Sequence, residues 1–409
     1  MKQNPQTLDH RQPVGHTNEV LIALLTGGGD KHYTFGLATE LCSRGAALDV
    51  IGSDEIDCPE YRSIPRLRFL NLRGKQDPNA GLLKKVTRVS AYYARLIRYA
   101  ATAKPKIFHI QWDNKFLVFD RTLLMLYYKW LGKKIVITVH NVNAAKRDNH
   151  DSALNRFTLR VQYRLADHLF VHTEKMKQEL MTEFGARASR ISLIPFGINN
   201  AVPNTRLTTA EAKQRLGIRE NEKAILFFGR ITPYKGLEYL VTAFQKILNP
   251  ADDYRLLIAG RVEEESAESY WAPLREAIRE DVHGGRILLR AEHIPDSEAE
   301  VYFKAADVLV LPYRHIFQSG IVFFGYSFGL PSLVSDVGSL KEEIVEGFTG
   351  YVFKPEDPAD LAAAVEKYFA SDLYKDLPRR RQQVREYIAR KNNWDAVGEA
   401  TMNIYSRLS

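Results

Sequence analysis

Cysteine is scarce in this chain. Cys42 and Cys58 are the only cysteines in 409 residues, and neither lies in a CxxC or Cys/His spacing that would indicate zinc. The sequence therefore offers no disulfide framework and no zinc motif. We expect both cysteines to be structural, in a protein that works in a reducing compartment.

Long apolar segments are also absent. No run of about 18 apolar residues predicts a membrane-spanning helix, and the polar N-terminus MKQNPQTLDHRQPVGHTNE has no apolar core typical of a signal peptide. We therefore expect a cytoplasmic protein with a flexible leader over residues 1–18.

Acidic residues are fewer than basic ones. The chain has 49 Asp and Glu against 57 Lys and Arg, which gives a formal net charge of +8. Such a charge indicates an anionic partner, which could be nucleic acid, a membrane surface or a phosphorylated metabolite. The most basic stretch, DLPRRRQQVREYIARK, has little aromatic interleaving and no recognised binding motif. We interpret it as a solvated helix face and predict no nucleic-acid partner.

Short apolar runs alternate with helix-period segments along the whole chain, in two series. The first series contains EVLIALL, ALDVIGS, IFHIQ, KKIVITVHN and HLFVHT, and the second contains AILFFG, YRLLIAG, RILLR, DVLVLP and LPSLVSD. This alternation predicts parallel sheets covered by helices on both faces. A polar segment that begins with NNAVPN separates the series, so we expect two doubly wound α/β domains, with a ligand at the carboxyl ends of the strands.

A basic turn opens the second series, in the stretch FFGRITPYKG. Arg230 and Lys235 lie between a buried strand and a helix that begins near Leu237. The N–H groups and dipole of a helix N-terminus favour an anion, and the two cations could hold a diphosphate without a metal. The alternative is a solvated basic loop.

A second candidate anion site follows the strand DVLVLPYRH. Ser319 and Gly320 could present backbone N–H groups at the start of another helix. A merely structural turn is the alternative.

Seven segments in this order resemble family 4 of the glycosyltransferases, retaining enzymes with the two-domain GT-B fold. The segments are TGGGDKH, TVHN, IPFGIN, FFGRITPYKG, LLIAGR, AADVLVLPY and FGLPSLVSDVGSLKEEIVEGFTGYVF. The resemblance spans residues 19–409 and implies two Rossmann-like domains that face each other across a cleft. Residues 19–200 would bind the acceptor and residues 201–392 the nucleotide sugar. Residues 393–409 would form a helix that packs back on the N-terminal domain, anchored by Trp394.

The resemblance also implies roles for particular residues. Arg230 and Lys235 would bind the diphosphate of a UDP- or GDP-sugar, and His140 would lie beside the donor sugar and the acceptor. Together these three are the expected catalytic residues. Further donor contacts are expected from the glycine loop, the base pocket and the second turn: Gly28, Gly29, Ile294, Ser319 and Gly320.

From the local pattern alone, we interpret His140 as a hydrogen-bonded histidine at the end of a strand. Gly28 and Gly29 would form a tight turn, although residues without a side chain would also let the backbone approach a diphosphate closely.

One feature departs from the family, which usually carries a Glu-x7-Glu motif after the LP strand. The two glutamate positions fall on Ile316 and Phe324. This departure leaves open a catalytically degenerate nucleotide-sugar-binding or partner protein, and a sugar-nucleotide epimerase with the same fold is a second alternative.

The sequence has no acidic pair of the DxD type, so we predict a metal-independent transferase without a cofactor. The expected acceptor is a glycan or a lipid-linked glycan.

A basic amphipathic helix is predicted over residues 82–100. Lys84, Arg88, Arg95 and Arg98 share one face, and apolar residues occupy the other. The helix could rest on the anionic inner surface of a membrane. A core-packed helix with a solvated basic face is the alternative.

Overall fold

The computed structural model describes residues 20–77, 81–147, 150–198, 204–249, 253–316 and 318–409. The expected leader at residues 1–18 lies outside this range. So does the expected domain boundary at residues 200 and 201.

The N-terminal domain is built on a parallel sheet of seven strands in the order β3-β2-β1-β4-β5-β6-β7. The strands are β1 (Leu21–Leu25), β2 (Ala47–Gly52), β3 (Leu67–Asn71), β4 (Ile107–Ile110), β5 (Lys134–Thr138), β6 (His168–Val171) and β7 (Ile191–Leu193).

The C-terminal domain repeats this plan with six parallel strands in the order β10-β9-β8-β11-β12-β13. The strands are β8 (Lys223–Phe228), β9 (Tyr254–Ala259), β10 (Ile287–Arg290), β11 (Val308–Leu311), β12 (Ser332–Ser335) and β13 (Gly350–Phe353). In each sheet the strand order reverses beside the first strand of the domain, where doubly wound folds bind ligands.

Helices cover both faces of the two sheets. In the N-terminal domain they are α1 (Lys31–Ser43), α2 (Leu82–Thr102), α3 (Leu117–Arg121), α4 (Leu123–Trp130), α5 (Ala144–Arg147), α6 (Ala153–Leu165) and α7 (Glu174–Phe184). The second series is α8 (Thr209–Arg215), α9 (Leu237–Lys246), α10 (Ala272–Ala277), α11 (Arg279–His283), α12 (Asp296–Ala305), α13 (Gly320–Ser327), α14 (Pro358–Ala370), α15 (Asp372–Lys375), α16 (Leu377–Lys391) and α17 (Trp394–Leu408).

The apolar runs of the sequence become buried strands because both faces of each sheet are covered. In the N-terminal domain, one core lies between the sheet and helices α2, α4, α6 and α7, and the other lies under α1 and α17. Two further cores flank the second sheet. The expected α/β fold with two doubly wound domains is confirmed.

The last helix, α17, returns to the N-terminal domain, as expected for this fold. It packs against α1, and Tyr405 forms a buried 2.6 Å hydrogen bond to Nδ1 of His109 in β4. At the start of α17, Trp394 Nε1 donates to the carbonyl of Ile198 at 2.9 Å. The helix therefore joins the end of the second domain to the core of the first.

Helix α2 matches its expected position, but its apolar face is not fully covered. Leu96 is buried, whereas Val86 and Ile97 are 53% and 37% exposed. Amphipathic spacing fixes the direction of an apolar face but not what covers it. The exposed residues do not fit a fully core-packed helix, and the membrane interpretation stays a prediction.

Both cysteines have free thiols, with Cys58 buried and Cys42 half-buried. In the described ranges, every helix is too short or too polar to cross a bilayer.

A substitution at Gly36 of α1 tests how the C-terminal helix packs on the first domain, because a Cβ at this position would lie 2.2 Å from Trp394 Cε2. We expect Gly36→Ala to destabilise the protein by about 1–3 kcal/mol through overpacking, as measured by urea unfolding. The same substitution should cost much less in a Trp394→Ala background, where the obstructing indole is gone. An equal cost in both backgrounds would contradict this packing.

Candidate functional site

A cleft of about 690 Å³ lies between the two domains. The segments that line it follow the carboxyl ends of β1, β2 and β7 on one side and of β8, β9, β10 and β11 on the other. The lining residues include Asp30, His32, Tyr33, Glu55, Phe196, Trp394, Arg230, Lys235, Arg261, Ile294, Asp296, Gly320 and Phe324. The cleft therefore lies where ligands bind in doubly wound folds.

The basic turn after β8 forms one wall of the cleft. Gly229 has a φ of 109°, a conformation that side chains disfavour, and it ends the strand before Arg230. The guanidinium of Arg230 is about half-exposed and pairs with Glu263 at 3.1 Å. Because this ion pair is at the surface, it is weak, and the guanidinium can exchange partners when an anion arrives.

Lys235 lies deeper than Arg230, with only 6% of its surface exposed. Its Nζ lies 5.4 Å from the ring centroid of Tyr313, and a Cβ on Gly229 would approach Nζ to 2.7 Å. The glycine thus leaves room for the ammonium group beside the end of β8. The next residue, Gly236, has a φ of 64° and is the N-cap of α9. A buried cation therefore stands next to a helix N-terminus.

The second expected turn lies on the same side of the cleft. Gly320 lines the cleft and begins α13, while Ser319 is buried behind it, 3.4 Å from the hydroxyl of Tyr313. Tyr313 contacts both Lys235 and Ser319, so the two turns form one continuous wall.

The positions where the family would carry glutamates are apolar in this wall. Phe324 is 7% exposed and packs edge-to-face on Phe303 at 4.5 Å. Ile316 packs against the same core. Neither position can supply a charge to the cleft.

Ile294 is in the lining, between β10 and α12, and its expected place near the base stays a prediction. Arg261 also lines the cleft, at the end of β9, and was not singled out from the sequence. A sequence signal existed, because Arg261 follows Gly260 in LLIAGR just as Arg230 follows Gly229 in FFGR.

The glycine loop after β1 is shaped by neighbouring side chains. A Cβ on Gly29 would lie 1.9 Å from Trp112 Cδ2, and one on Gly28 would lie 2.8 Å from Arg73 Nη1. The indole and the guanidinium thus give these glycines a packing role. Their expected approach to a diphosphate stays a prediction, since Asp30 is the first residue of this segment in the cleft lining.

His140 lies behind the cleft wall, two residues after β5. Its ring stacks on Trp112 with centroids 4.1 Å apart, and Tyr33, which lines the cleft, packs edge-on at 4.7 Å. Burial and the neighbouring His172 lower the pKa of His140 well below its usual range. His140 is therefore a neutral imidazole, and its role beside the sugar stays a prediction.

Hydrogen bonds fix the tautomer of His140. His172 Nδ1 lies 3.2 Å from the carbonyl oxygen of Ile194, which can only accept, so Nδ1 carries the proton. Burial lowers the pKa of His172 to about 4, so its Nε2 is unprotonated and accepts from His140 Nδ1 at 3.3 Å. This leaves His140 Nε2 as an acceptor, buried and without a hydrogen-bond partner among the described residues.

One ion pair bridges the cleft directly. His32 Nε2 at the start of α1 lies 3.1 Å from Asp296 Oδ2 at the start of α12. Burial acts to lower the pKa of His32, but the hydrogen bond and the negative charge of Asp296 outweigh it and raise that pKa above its usual value. The same hydrogen bond lowers the pKa of Asp296.

The other cleft carboxylates have different positions. Asp30 caps α1 by accepting from the backbone N–H groups of His32 and Tyr33 at 2.8 and 3.0 Å, and Glu55 is exposed. Across the part of the chain that the structure describes, no three His, Cys, Asp or Glu side chains come together as metal ligands.

Two family models match the chain, one for each half. Residues 27–202 match the model described as Glycosyltransferase Family 4, and residues 208–391 match Glycosyl transferases group 1. The matches meet near the polar segment between the two sheets.

Curated relatives match over nearly the whole chain. D-inositol 3-phosphate glycosyltransferase from Corynebacterium diphtheriae is 25% identical over 402 residues, which cover 92% of this chain and 89% of the relative. The protein of the same name from Gordonia bronchialis is 25% identical and covers 93% and 84%.

Solved structures share the fold at low identity. Sucrose-phosphate synthase from Thermosynechococcus elongatus has a TM-score of 0.72 at 20% identity, covering 95% of this chain and 98% of that one. Anabaena HepE in complex with UDP-glucose gives 0.71 at 13% identity, covering 95% and 99%.

The bridge between His32 and Asp296 predicts a pH dependence. Because the pKa of His32 is raised in the folded state, the bridge contributes fully below about pH 6.5 and is lost as the pH rises through the raised value. In an NMR titration of the imidazole, Asp296→Asn should lower the pKa of His32. Asp336→Asn, which removes an exposed ion pair elsewhere, should leave it unchanged. An unaltered titration of His32 in Asp296→Asn would show that the bridge does not form.

Proposed function

The chain belongs to glycosyltransferase family 4, and we propose that it transfers a sugar from a UDP- or GDP-sugar to an acceptor hydroxyl with retention at the anomeric carbon. The observation that carries the proposal is the buried ammonium group of Lys235 beside Arg230, in a cleft between two doubly wound domains. A cation at this depth suits the diphosphate of the donor. HepE, which shares the fold, has been solved with UDP and with UDP-glucose.

The positive wall of the cleft would act on the departing diphosphate. Negative charge gathers on this group as the glycosidic bond breaks, and preorganised cations and helix N-termini stabilise such charge without reorganisation. Lys235 and Arg230 supply the charges, and the N-termini of α9 and α13 supply backbone N–H groups. The alternative of a solvated basic loop does not account for the burial of Lys235.

Retention is proposed to follow from attack on the same face as the leaving group. The bond from the acceptor oxygen to the anomeric carbon forms while the bond to the diphosphate oxygen breaks, and the electron pair leaves with the diphosphate. The proton of the acceptor hydroxyl passes to a phosphate oxygen of the leaving group. A double displacement would need a nucleophilic carboxylate beside the anomeric carbon. Of the carboxylates in the cleft lining, Asp30 caps a helix, Asp296 pairs with His32, and Glu55 is exposed beyond the end of β2, on the opposite side of the cleft from Arg230 and Lys235.

The acceptor is proposed to be a glycan or a lipid-linked glycan, reached from the cytoplasmic face of a membrane. The uncovered apolar residues of α2 support a location at the membrane. The relatives from Corynebacterium and Gordonia are named D-inositol 3-phosphate glycosyltransferase. A phosphorylated acceptor is therefore the second candidate.

Binding of nucleotides tests the donor site. We expect one of UDP, GDP and ADP to bind in calorimetry, and we expect Lys235→Ala to lose about 2–3 kcal/mol of binding free energy, since the charged hydrogen bonds go with the side chain. Lys341→Ala, which removes an exposed lysine paired with Asp336, should bind as the wild type does. If no nucleotide binds the wild type, the protein is a partner protein without a donor site.

The stereochemistry of the product tests the reaction. With the matching nucleotide sugar and an acceptor, NMR of the product should give the anomeric configuration of the donor. An inverted product would refute same-face attack. Conversion of the donor sugar without any acceptor would instead identify an epimerase.

A further inference from the structure

A cluster of large apolar side chains is exposed on the N-terminal domain. It consists of Phe116, Leu117, Val118, Leu123, Leu126 and Trp130, which we call the apolar patch. Trp130 is 80% exposed and Leu123 is 62% exposed. Leu83 and Val86 of α2 lie exposed on a helix that neighbours the patch, as do Leu154 and Phe157 of α6.

Helix α4 is apolar on both sides. Its inner side buries Leu124, Met125 and Tyr128 in the core of the domain. Its outer side carries Leu123, Leu126 and Trp130 at spacings of three and four residues, which places them on one stripe. A helix that is apolar all round is normally buried or in contact with lipid, so the outer stripe implies a missing partner.

The helices around the patch form one surface. Phe116 stacks on Tyr93 of α2 with centroids 5.4 Å apart, and the hydroxyl of Tyr127 in α4 donates to the carbonyl of Ile97 in α2 at 3.2 Å. Helix α3 contacts both α4 and α6. The exposed apolar residues of these helices are therefore neighbours in space.

The charged side chains within residues 81–130, which carry the patch, are mostly positive, although Lys129 of α4 pairs with Asp167 of a neighbouring segment. Within residues 81–130 the sequence has two acidic residues, Asp113 and Asp120. Asp113 pairs with the buried Arg121 at 2.7 Å, and Asp120 is buried and accepts from the hydroxyl of Tyr93 at 2.9 Å. The basic residues Lys84, Arg88, Arg95, Arg98 and Lys115 lie on or near the surface. The outer face of this segment is thus apolar and positive.

A small recess with basic walls borders the apolar patch, and its volume of about 10 Å³ has room for one water molecule but not for a phosphate. Its lining includes Arg73, Arg88, Lys115, Tyr92 and Tyr93. Phe116 of the patch stacks on the ring of Tyr93. None of the three cations forms an ion pair with a carboxylate in the described ranges. On its other side, the guanidinium of Arg73 donates to the carbonyl of Gly27, in the loop that leads to the cleft.

We propose that the apolar patch inserts into the surface of an anionic lipid bilayer and that Arg88 and Lys115 at its border bind lipid phosphates. Apolar and aromatic residues ringed by Lys and Arg are typical of surfaces that lie in the membrane interface. A second copy of this chain would fit poorly, because two faces with the same positive rim repel each other. The inference rests on the proposed membrane location of the acceptor, and it would bring the loop after β1, where Arg73 donates to the carbonyl of Gly27, close to the membrane surface.

Flotation with vesicles tests the proposal. We expect the wild type to float with phosphatidylcholine vesicles that contain phosphatidylglycerol, and to float less with phosphatidylcholine alone or in high salt. The variant Leu123→Ser/Leu126→Ser/Trp130→Ser should bind at least tenfold more weakly, and so should Arg88→Gln/Lys115→Gln. The matched control is Ile247→Ser/Val345→Ser, which removes apolar residues 42% and 40% exposed in the C-terminal domain and should bind as the wild type does.

Two further measurements keep the result interpretable. Brominated lipid should quench tryptophan fluorescence in the wild type but much less in Trp130→Phe, which keeps an apolar ring. Nucleotide calorimetry on the patch variants should be unchanged, which separates loss of docking from loss of the donor site or of the fold.

Three outcomes would overturn the proposal. One is equal flotation of the patch variant and the wild type, and another is no flotation of the wild type with anionic vesicles at low salt. The third is a wild-type dimer in analytical ultracentrifugation that becomes a monomer in the patch variant, which would assign the surface to a second copy. None of these results would alter the nucleotide-binding test of the donor site.

Discussion

The indole of Trp394 is the contact on which the arrangement of the two domains depends. It lies between Gly36 of α1 and Gly197 of the segment after β7, where a Cβ would come within 2.2 and 2.4 Å of its ring. It also packs edge-on against Tyr33, which packs in turn against His140. The helix that ends the chain is thereby fixed to the first domain at the edge of the cleft. Because α17 follows the second domain in the chain, this contact ties that domain to the first, alongside the stack of Phe196 on Phe323 and the pair of His32 with Asp296.

The charge pattern of the cleft explains what kind of ligand it can accept. Arg230, Lys235 and Arg261 all follow strands of one sheet, and the free ends of α9 and α13 point positive partial charge to the same side. Two of the carboxylates in the lining already have partners, since Asp30 caps α1 and Asp296 pairs with His32, and the third, Glu55, is exposed beyond β2. A cation in this cleft would meet more repulsion than attraction. An anion that reached Lys235 would also meet Arg230, whose surface ion pair with Glu263 is weak.

The sequence predicted the parts of this site that lie close together in the chain. The turn with Arg230 and Lys235 follows directly from a buried strand, two glycines and a helix start, because local chemistry determines such a turn. The partners that come from distant segments were missed. Trp112 covers Gly29, His172 fixes the tautomer of His140, and Asp296 meets His32 across the cleft. No spacing within one segment reveals such pairs, since they form only when sheets and domains assemble. The sequence left two alternatives open for the apolar face of α2, because a helical pattern does not show whether a neighbour covers that face.

The two apolar residues at the glutamate positions suggest how the donor end of the cleft differs from the pattern of the family. Phe324 belongs to an aromatic cluster with Phe228, Phe303 and Phe328, with ring centroids between 4.5 and 6.1 Å apart. A Phe324→Glu change would remove these ring contacts from the core beneath α13. The ring also borders the cleft, so this apolar side chain belongs both to the core and to the wall. Without carboxylates at the two positions, the wall presents Arg230, Lys235 and Arg261 together with the N-termini of α9 and α13, and its charge is positive.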